Sequence, residues 1–132
     1  MIMKGEFDSH QPIYQQIMDR IIVAIAKGEL APGAKVASVR ELAMEYNVNP
    51  NTMQKSLSKL EEMGYLYTER TSGRYVTRDF GVIDAMKAKI PEEIVRNFVE
   101  EMVDFGIAAQ EISKYVKDYI ERMENHGKDT AN

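Results

Sequence analysis

The 132-residue chain is 44% hydrophobic and 29% charged, with 17 Lys and Arg against 21 Asp and Glu and no cysteine. This is the composition of a folded domain with a short appendage, and it excludes disulfide staples, Cys-ligated zinc, iron–sulfur clusters and a thiol nucleophile. No apolar run approaches the roughly 20 residues that span a bilayer, and Met1-Ile2-Met3-Lys4-Gly5-Glu6 lacks a signal-peptide core, so a cytoplasmic protein with no membrane partner is expected.

Residues 1–11 show no periodicity and read as an arm. A helix starts at Pro12, a residue suited to a first helical turn, and buries Tyr14, Ile17, Met18, Ile21, Ala24 and Ile25, with Gly28 as its stop. Leu30-Ala31-Pro32-Gly33-Ala34-Lys35 is a turn. Ser38-Val39-Arg40-Glu41 has the form of a capping box. It opens a helix with an inner face of Val39, Leu42, Ala43 and Tyr46, which Asn47-Val48-Asn49-Pro50 ends. Asn49 then caps a third helix with Pro50 in its first turn, and Met53, Leu57, Leu60 and Met63 form that helix's buried stripe. Tyr65–Arg70 and Arg74–Arg78, joined by the short turn Thr71-Ser72-Gly73, carry a hairpin signature. Beyond Phe80, one short helix is predicted from Val82 to Lys89. Pro91-Glu92-Glu93 opens a second with the stripe Ile94, Phe98, Met102 and Phe105. After Gly106 a last helix carries Ile112, Tyr115, Val116, Tyr119, Ile120 and Met123, and the polar tail from Asn125 reads as frayed.

Helix, turn, helix, tight turn, helix and hairpin over residues 12–78 is the layout of a winged helix-turn-helix, whose second paired helix enters the major groove of DNA. Its buried stripe leaves Asn51, Thr52, Gln54, Lys55, Ser58 and Lys59 outside. Asn and Gln pair with adenine, Thr meets a base or a thymine methyl, and lysines reach phosphates. The charge supports this split of roles. Residues 1–78 hold ten Lys and Arg against nine Asp and Glu, whereas residues 79–132 hold seven against twelve, so the acidity lies away from the first part. A rival use of the same fold, docking of another protein, would call for apolar anchors at the start of the third helix.

Several segments resemble the GntR-type winged helix-turn-helix regulators: Pro12-Ile13-Tyr14-Gln15-Gln16-Ile17, Ala26-Lys27-Gly28-Glu29-Leu30-Ala31-Pro32-Gly33, Ser38-Val39-Arg40-Glu41-Leu42-Ala43, Val48-Asn49-Pro50-Asn51-Thr52 and Leu60-Glu61-Glu62-Met63-Gly64-Tyr65. The Asn-Pro-Asn-Thr form and the short helical C-terminal part are similar to the YtrA-like subfamily, in which two helices after the DNA-binding domain form the dimer interface. The resemblance implies that Arg40 holds a backbone phosphate or a guanine, that Asn51 and Thr52 touch DNA, and that Gly73 is the wing glycine. Ser38, Asn49, Gln54, Lys55 and Arg74 complete the candidate DNA-contacting set. The chain departs from the family at Pro50 and Gln54, where many members have arginine. Its wing also reads Thr71-Ser72-Gly73-Arg74 in place of Gly-x-Gly-Thr. Arg74 is either a minor-groove contact that compensates for the missing glycine or a solvated hairpin charge.

The expected protein is therefore mostly α with a small β-hairpin wing: a winged helix-turn-helix over 11–79, a helical dimerisation region over 80–125 and a flexible tail over 126–132. Ile94, Phe98, Met102, Phe105, Tyr115, Tyr119, Ile120 and Met123 are too many apolar groups for two short helices to bury alone, so they are expected at a homodimer interface. Two copies would read a palindrome in double-stranded DNA as a repressor. No cofactor or metal is expected, since His10 and His126 have no carboxylate cluster around them. No enzyme is expected either, because no nucleophile–base set or phosphate loop is present. The nine methionines leave a small-molecule effector open, with core filling the commoner use.

Overall fold

The structure, a computed structural model, describes Phe7 and residues 11–131. The arm expected over residues 1–11 lies outside the described residues apart from Phe7 and Gln11, and so does His10. The elements run α1 Ile13–Ala26, α2 Val39–Tyr46, α3 Pro50–Glu62, β1 Leu66–Glu69, β2 Gly73–Val76, α4 Phe80–Asp104 and α5 Ala109–Ala131. They form two compact units, the first closing at Ala88 and the second opening at Lys89.

In the first unit, α1, α2 and α3 enclose a core of Ile17, Ile21, Ile25, Leu42, Met53, Leu57 and Leu60, which the hairpin closes with Leu66 and Val76. Ser38 starts α2 by accepting the Glu41 N–H at 3.1 Å. Asn47 ends α2 in the left-handed region at φ 55° and ψ 53°. Asparagine tolerates this region better than other side-chain-bearing residues, and the Val48 N–H then reaches the Ala43 carbonyl at 2.9 Å. Asn49 starts α3 by accepting the Asn51 N–H at 2.7 Å, with Pro50 in the first turn. The stripe expected on α3 holds except at its end. Met63 is 49% exposed, because α3 stops at Glu62 and Met63 is only its cap. Buried Gln16 and Arg20 interrupt the apolar face expected of α1; the Arg20 guanidinium lies 3.9 Å from the Phe7 ring centroid.

The hairpin pairs Leu66 with Val76, Tyr67 with Tyr75, Thr68 with Arg74 and Glu69 with Gly73. The segment after α1 adds a short third edge. Val36 N–H donates to the Arg74 carbonyl and Val76 N–H to the Ala34 carbonyl, both at 2.9 Å. Gly33 makes this crossing possible, with φ +78° and with its N–H donating to the Val76 carbonyl. A Cβ there would lie 2.9 Å from Arg78 Nε. Gly33→Ala is expected to cost about 1–3 kcal/mol, chiefly from the backbone, since Arg78 can swing aside. Urea unfolding checks this, and an equal loss in an Arg78→Ala background identifies the backbone as the cause.

The helices of the C-terminal part differ from those expected. The helices predicted over 82–89 and from Pro91 are one helix, α4, with Pro91 inside it. Proline removes one N–H from the helical ladder and clashes with the preceding turn, but here it bends the local rule without ending the helix. The compact units divide between Ala88 and Lys89, beyond the boundary expected at residue 79, and Ile83 and Met86 of α4 are buried in the first core. Asp79 starts α4 by accepting N–H groups from Gly81 at 2.9 Å and Val82 at 3.3 Å. In the second unit, α4 turns at Gly106, where Ile107 N–H reaches the Met102 carbonyl at 3.0 Å. Helix α5 then continues past Asn125, where fraying was expected, to Ala131; no proline interrupts it.

Candidate nucleic-acid interface

The inner face of α3 holds it in place and leaves its outer face for contact. Met53, Ser56, Leu57 and Leu60 are buried. The Ser56 hydroxyl lies 3.0 Å from the Tyr14 carbonyl and 3.1 Å from that of Thr52, so it bridges α3 to the first turn of α1. On the outer side Asn51, Gln54 and Lys55 are exposed and Thr52 is half-buried. Gln54 Nε2 donates to Ser58 Oγ at 2.9 Å, which lays its side chain along the helix. The Lys55 ammonium sits 3.9 Å from the Tyr14 ring centroid and that of Lys59 5.6 Å from it. Such contacts are worth about 0.5–1 kcal/mol at exposed sites, enough to gather two cations beside the recognition surface. Tyr14, expected on the buried face of α1, is half-buried. Its second role depends on a through-space pairing that spacing does not carry.

The candidate residues therefore divide by task. Ser38 and Asn49 are helix caps, with their side-chain oxygens bonded to backbone amides. Arg40 is exposed in the first turn of α2, and Asn51 in the first turn of α3. Gly73 carries the hairpin turn at φ +119°, a conformation that side-chain-bearing residues rarely adopt.

In the DNA-free chain Arg74 is half-buried against the protein. Strand alternation puts it on the same side of the hairpin as Thr68, its cross-strand partner, and as buried Leu66 and Val76. Its side chain is 18% exposed, and its Nε lies 3.9 Å from the Glu61 carboxylate at the end of α3. That Nε is buried without a hydrogen-bond partner. Thr68 Oγ1 donates to the same Glu61 oxygen. Tyr67 and Tyr75 stack on the opposite side of the hairpin, with centroids 5.7 Å apart. Glu61 and Thr68 went unnoticed in the sequence, where only the hairpin register, once fixed, would have paired Thr68 with Arg74. A cleft of about 790 Å³ separates the wing from the start of α2, and its lining includes Lys35, Ser38, Glu41, Thr68, Gly73 and Arg74.

Among the described residues no group of three or more His, Cys, Asp or Glu is placed to hold a metal ion. No described helix is long and apolar enough to cross a membrane.

A capped helix pair set at a tight turn, with a polar outer face on the second helix and a hairpin directly after it, defines a winged helix-turn-helix regulator of transcription. The chain belongs to the GntR family: residues 13–76 match the family described as bacterial regulatory proteins, gntR family. It is 36% identical over 119 residues to the HTH-type transcriptional regulator YhcF of Bacillus subtilis, covering 90% of this chain and 98% of that one. It is 30% identical over 112 residues to the HTH-type transcriptional repressor YtrA of the same organism, covering 83% and 85%. The solved structure of a GntR family transcriptional regulator from Listeria monocytogenes superposes with a TM-score of 0.76 at 39% identity, over 85% of this chain and 98% of that one. The resemblance to YtrA-type regulators read from the motifs is thus upheld, and these proteins are transcription regulators, not enzymes.

Proposed function

We propose that the chain is a repressor that binds a palindromic operator as a homodimer, with α3 of each copy in a major groove and each wing over the adjacent backbone. The observation that carries the dimer is the state of the second unit: between residues 89 and 127, Ile112 is the one buried side chain. Ile94 is 62% exposed, Phe105 80%, Tyr119 61% and Met123 59%. Phe98, Tyr115 and Ile120 are exposed as well, and Met102 is half-buried. A surface of this kind marks an interaction site.

The apolar groove of about 650 Å³ between α4 and α5, lined by Ile94, Phe98, Ile112 and Ile120, is assigned to the partner copy and not to an effector. Exposed apolar groups continue beyond it to Phe105 and Met123, a longer surface than a small ligand would cover. Repression is supported by the printed role of the relative YtrA, and a cytoplasmic setting follows from an operator as target.

The test is gel-shift and hydroxyl-radical footprinting on DNA upstream of the chain's own coding sequence, at two salt concentrations. A two-fold symmetric footprint with half-sites about one helical turn, or a multiple of it, apart is expected. Protection of a single half-site, or shifts indifferent to sequence, would overturn the reading. Arg40→Ala is expected to weaken operator and random DNA alike and to reduce the salt slope by about 1 if Arg40 holds a phosphate. Loss confined to the operator would assign it to guanine instead, and unchanged affinity would remove Arg40 from the interface.

A further inference from the structure

Arg74 occupies an unusual position for a wing arginine. It is turned from the hairpin surface toward the body of the protein, and the group it faces, Glu61, belongs to the last turn of the recognition helix. The same carboxylate oxygen accepts the Thr68 hydroxyl from the other strand. One acidic side chain on α3 thus engages both strands of the wing, at a directly opposed pair in the register. The guanidinium stays 3.9 Å from the carboxylate, beyond hydrogen-bond length, with its Nε buried and unpartnered. In this half-buried setting, with Glu61 32% and Arg74 18% exposed at their side chains, a charge pair is less screened than one in open solvent.

We propose that Glu61 is a positioning residue for DNA binding: through Thr68 and Arg74 it fixes the wing to the end of the recognition helix, so that both meet the duplex as one preorganised surface. Glu61 contacts no DNA in this scheme. Its effect on affinity comes from freedom already removed before binding, which lowers the cost of ordering the wing on the duplex. The inference rests on the DNA-binding reading above and adds to it a residue whose charge has the wrong sign for a phosphate contact.

That wrong sign makes the experiment decisive. Glu61→Gln removes the charge facing Arg74 and keeps a carbonyl oxygen that can accept from Thr68. Removing a negative charge beside a polyanion should by itself tighten binding. The positioning role predicts the opposite. The probe is the duplex that the wild-type chain selects from a random-sequence library. The dissociation constant of Glu61→Gln for it is expected to rise by on the order of tenfold, with loss of minor-groove protection beside the wing. Amides of residues 66–76 in the DNA-free chain are expected to exchange faster, while the thermal midpoint stays near that of wild type. Arg74→Met should reproduce these effects, and the double variant should be no weaker than either single one.

Equal or tighter binding by Glu61→Gln overturns the proposal. A further loss in the double variant together with a salt slope reduced by about 1 also overturns it, since Arg74 would then touch phosphate directly. If Glu61→Gln lowers the thermal midpoint, Thr68→Val, at an exposed position, carries the same comparison. A wild-type chain that selects no duplex would sink the DNA-binding reading instead. Amide exchange in the free chain would then decide the fixing of the wing, with unchanged rates in 66–76 counting against it.

Discussion

Phe98→Glu is expected to convert the proposed dimer into a monomer and to remove operator binding with it. Phe98 lines the groove between α4 and α5 and is 37% exposed, already part-sheltered by its own chain. Burying a phenylalanine completely stabilises by about 1.5–3 kcal/mol. A carboxylate forced into that apolar site would add a desolvation cost of several kcal/mol unless a cation reached it. Two-fold symmetry applies the change twice, so the dimer dissociation constant should rise by ~1000-fold or more. Sedimentation equilibrium measures this directly, with far-ultraviolet circular dichroism to show that the helices persist. The operator affinity should then fall toward that of one half-site, whose contacts are too few to stand out from non-specific binding. A Phe98→Glu chain that stays dimeric would move the interface elsewhere, and one that is monomeric yet binds the operator as wild type would remove the need for two copies.

Asn51→Ala should act on specificity and leave the fold untouched. The side chain is exposed in the first turn of α3, and its backbone N–H is already held by Asn49. Alanine has the higher helix propensity, so thermal stability should hold or rise slightly. If the carboxamide pairs with an adenine, the operator affinity should fall by about 1–3 kcal/mol, with little change on random DNA. A parallel titration on both duplexes separates the outcomes. Equal loss on both would make Asn51 a backbone contact, and no loss would take it out of the interface.

The parts of this fold that were legible in the sequence are those fixed by local chemistry. Ser38 and Asn49 were identified as caps because a cap depends on residues two or three places away, and both bonds are present. Asn47-Val48-Asn49-Pro50 is turn chemistry in the sequence, and Asn47 ends α2 in the left-handed region. Where the reading went astray, distant residues decide. Pro91 carries a strong local signal for a break, yet α4 runs through it. The first turns of α4 belong to the winged helix because Ile83 and Met86 find a core made by residues far earlier in the chain. The same limit applies to the interface. Beside Lys55, expected at a phosphate, stands the Tyr14 ring, from a residue 41 positions away in sequence. The pairing of Arg74 with Glu61 likewise joins residues that no local pattern connects.

The division of labour around α3 has an evolutionary consequence. Its core contacts run through Met53, Ser56, Leu57 and Leu60, whereas Asn51 and Gln54 are exposed and support no core. If Asn51 and Gln54 read bases as proposed, adhesion and address are written on separate letters of one helix. A lineage of duplicated genes could therefore drift from one promoter to another by changing the address letters alone, with no toll on folding at the intermediate steps.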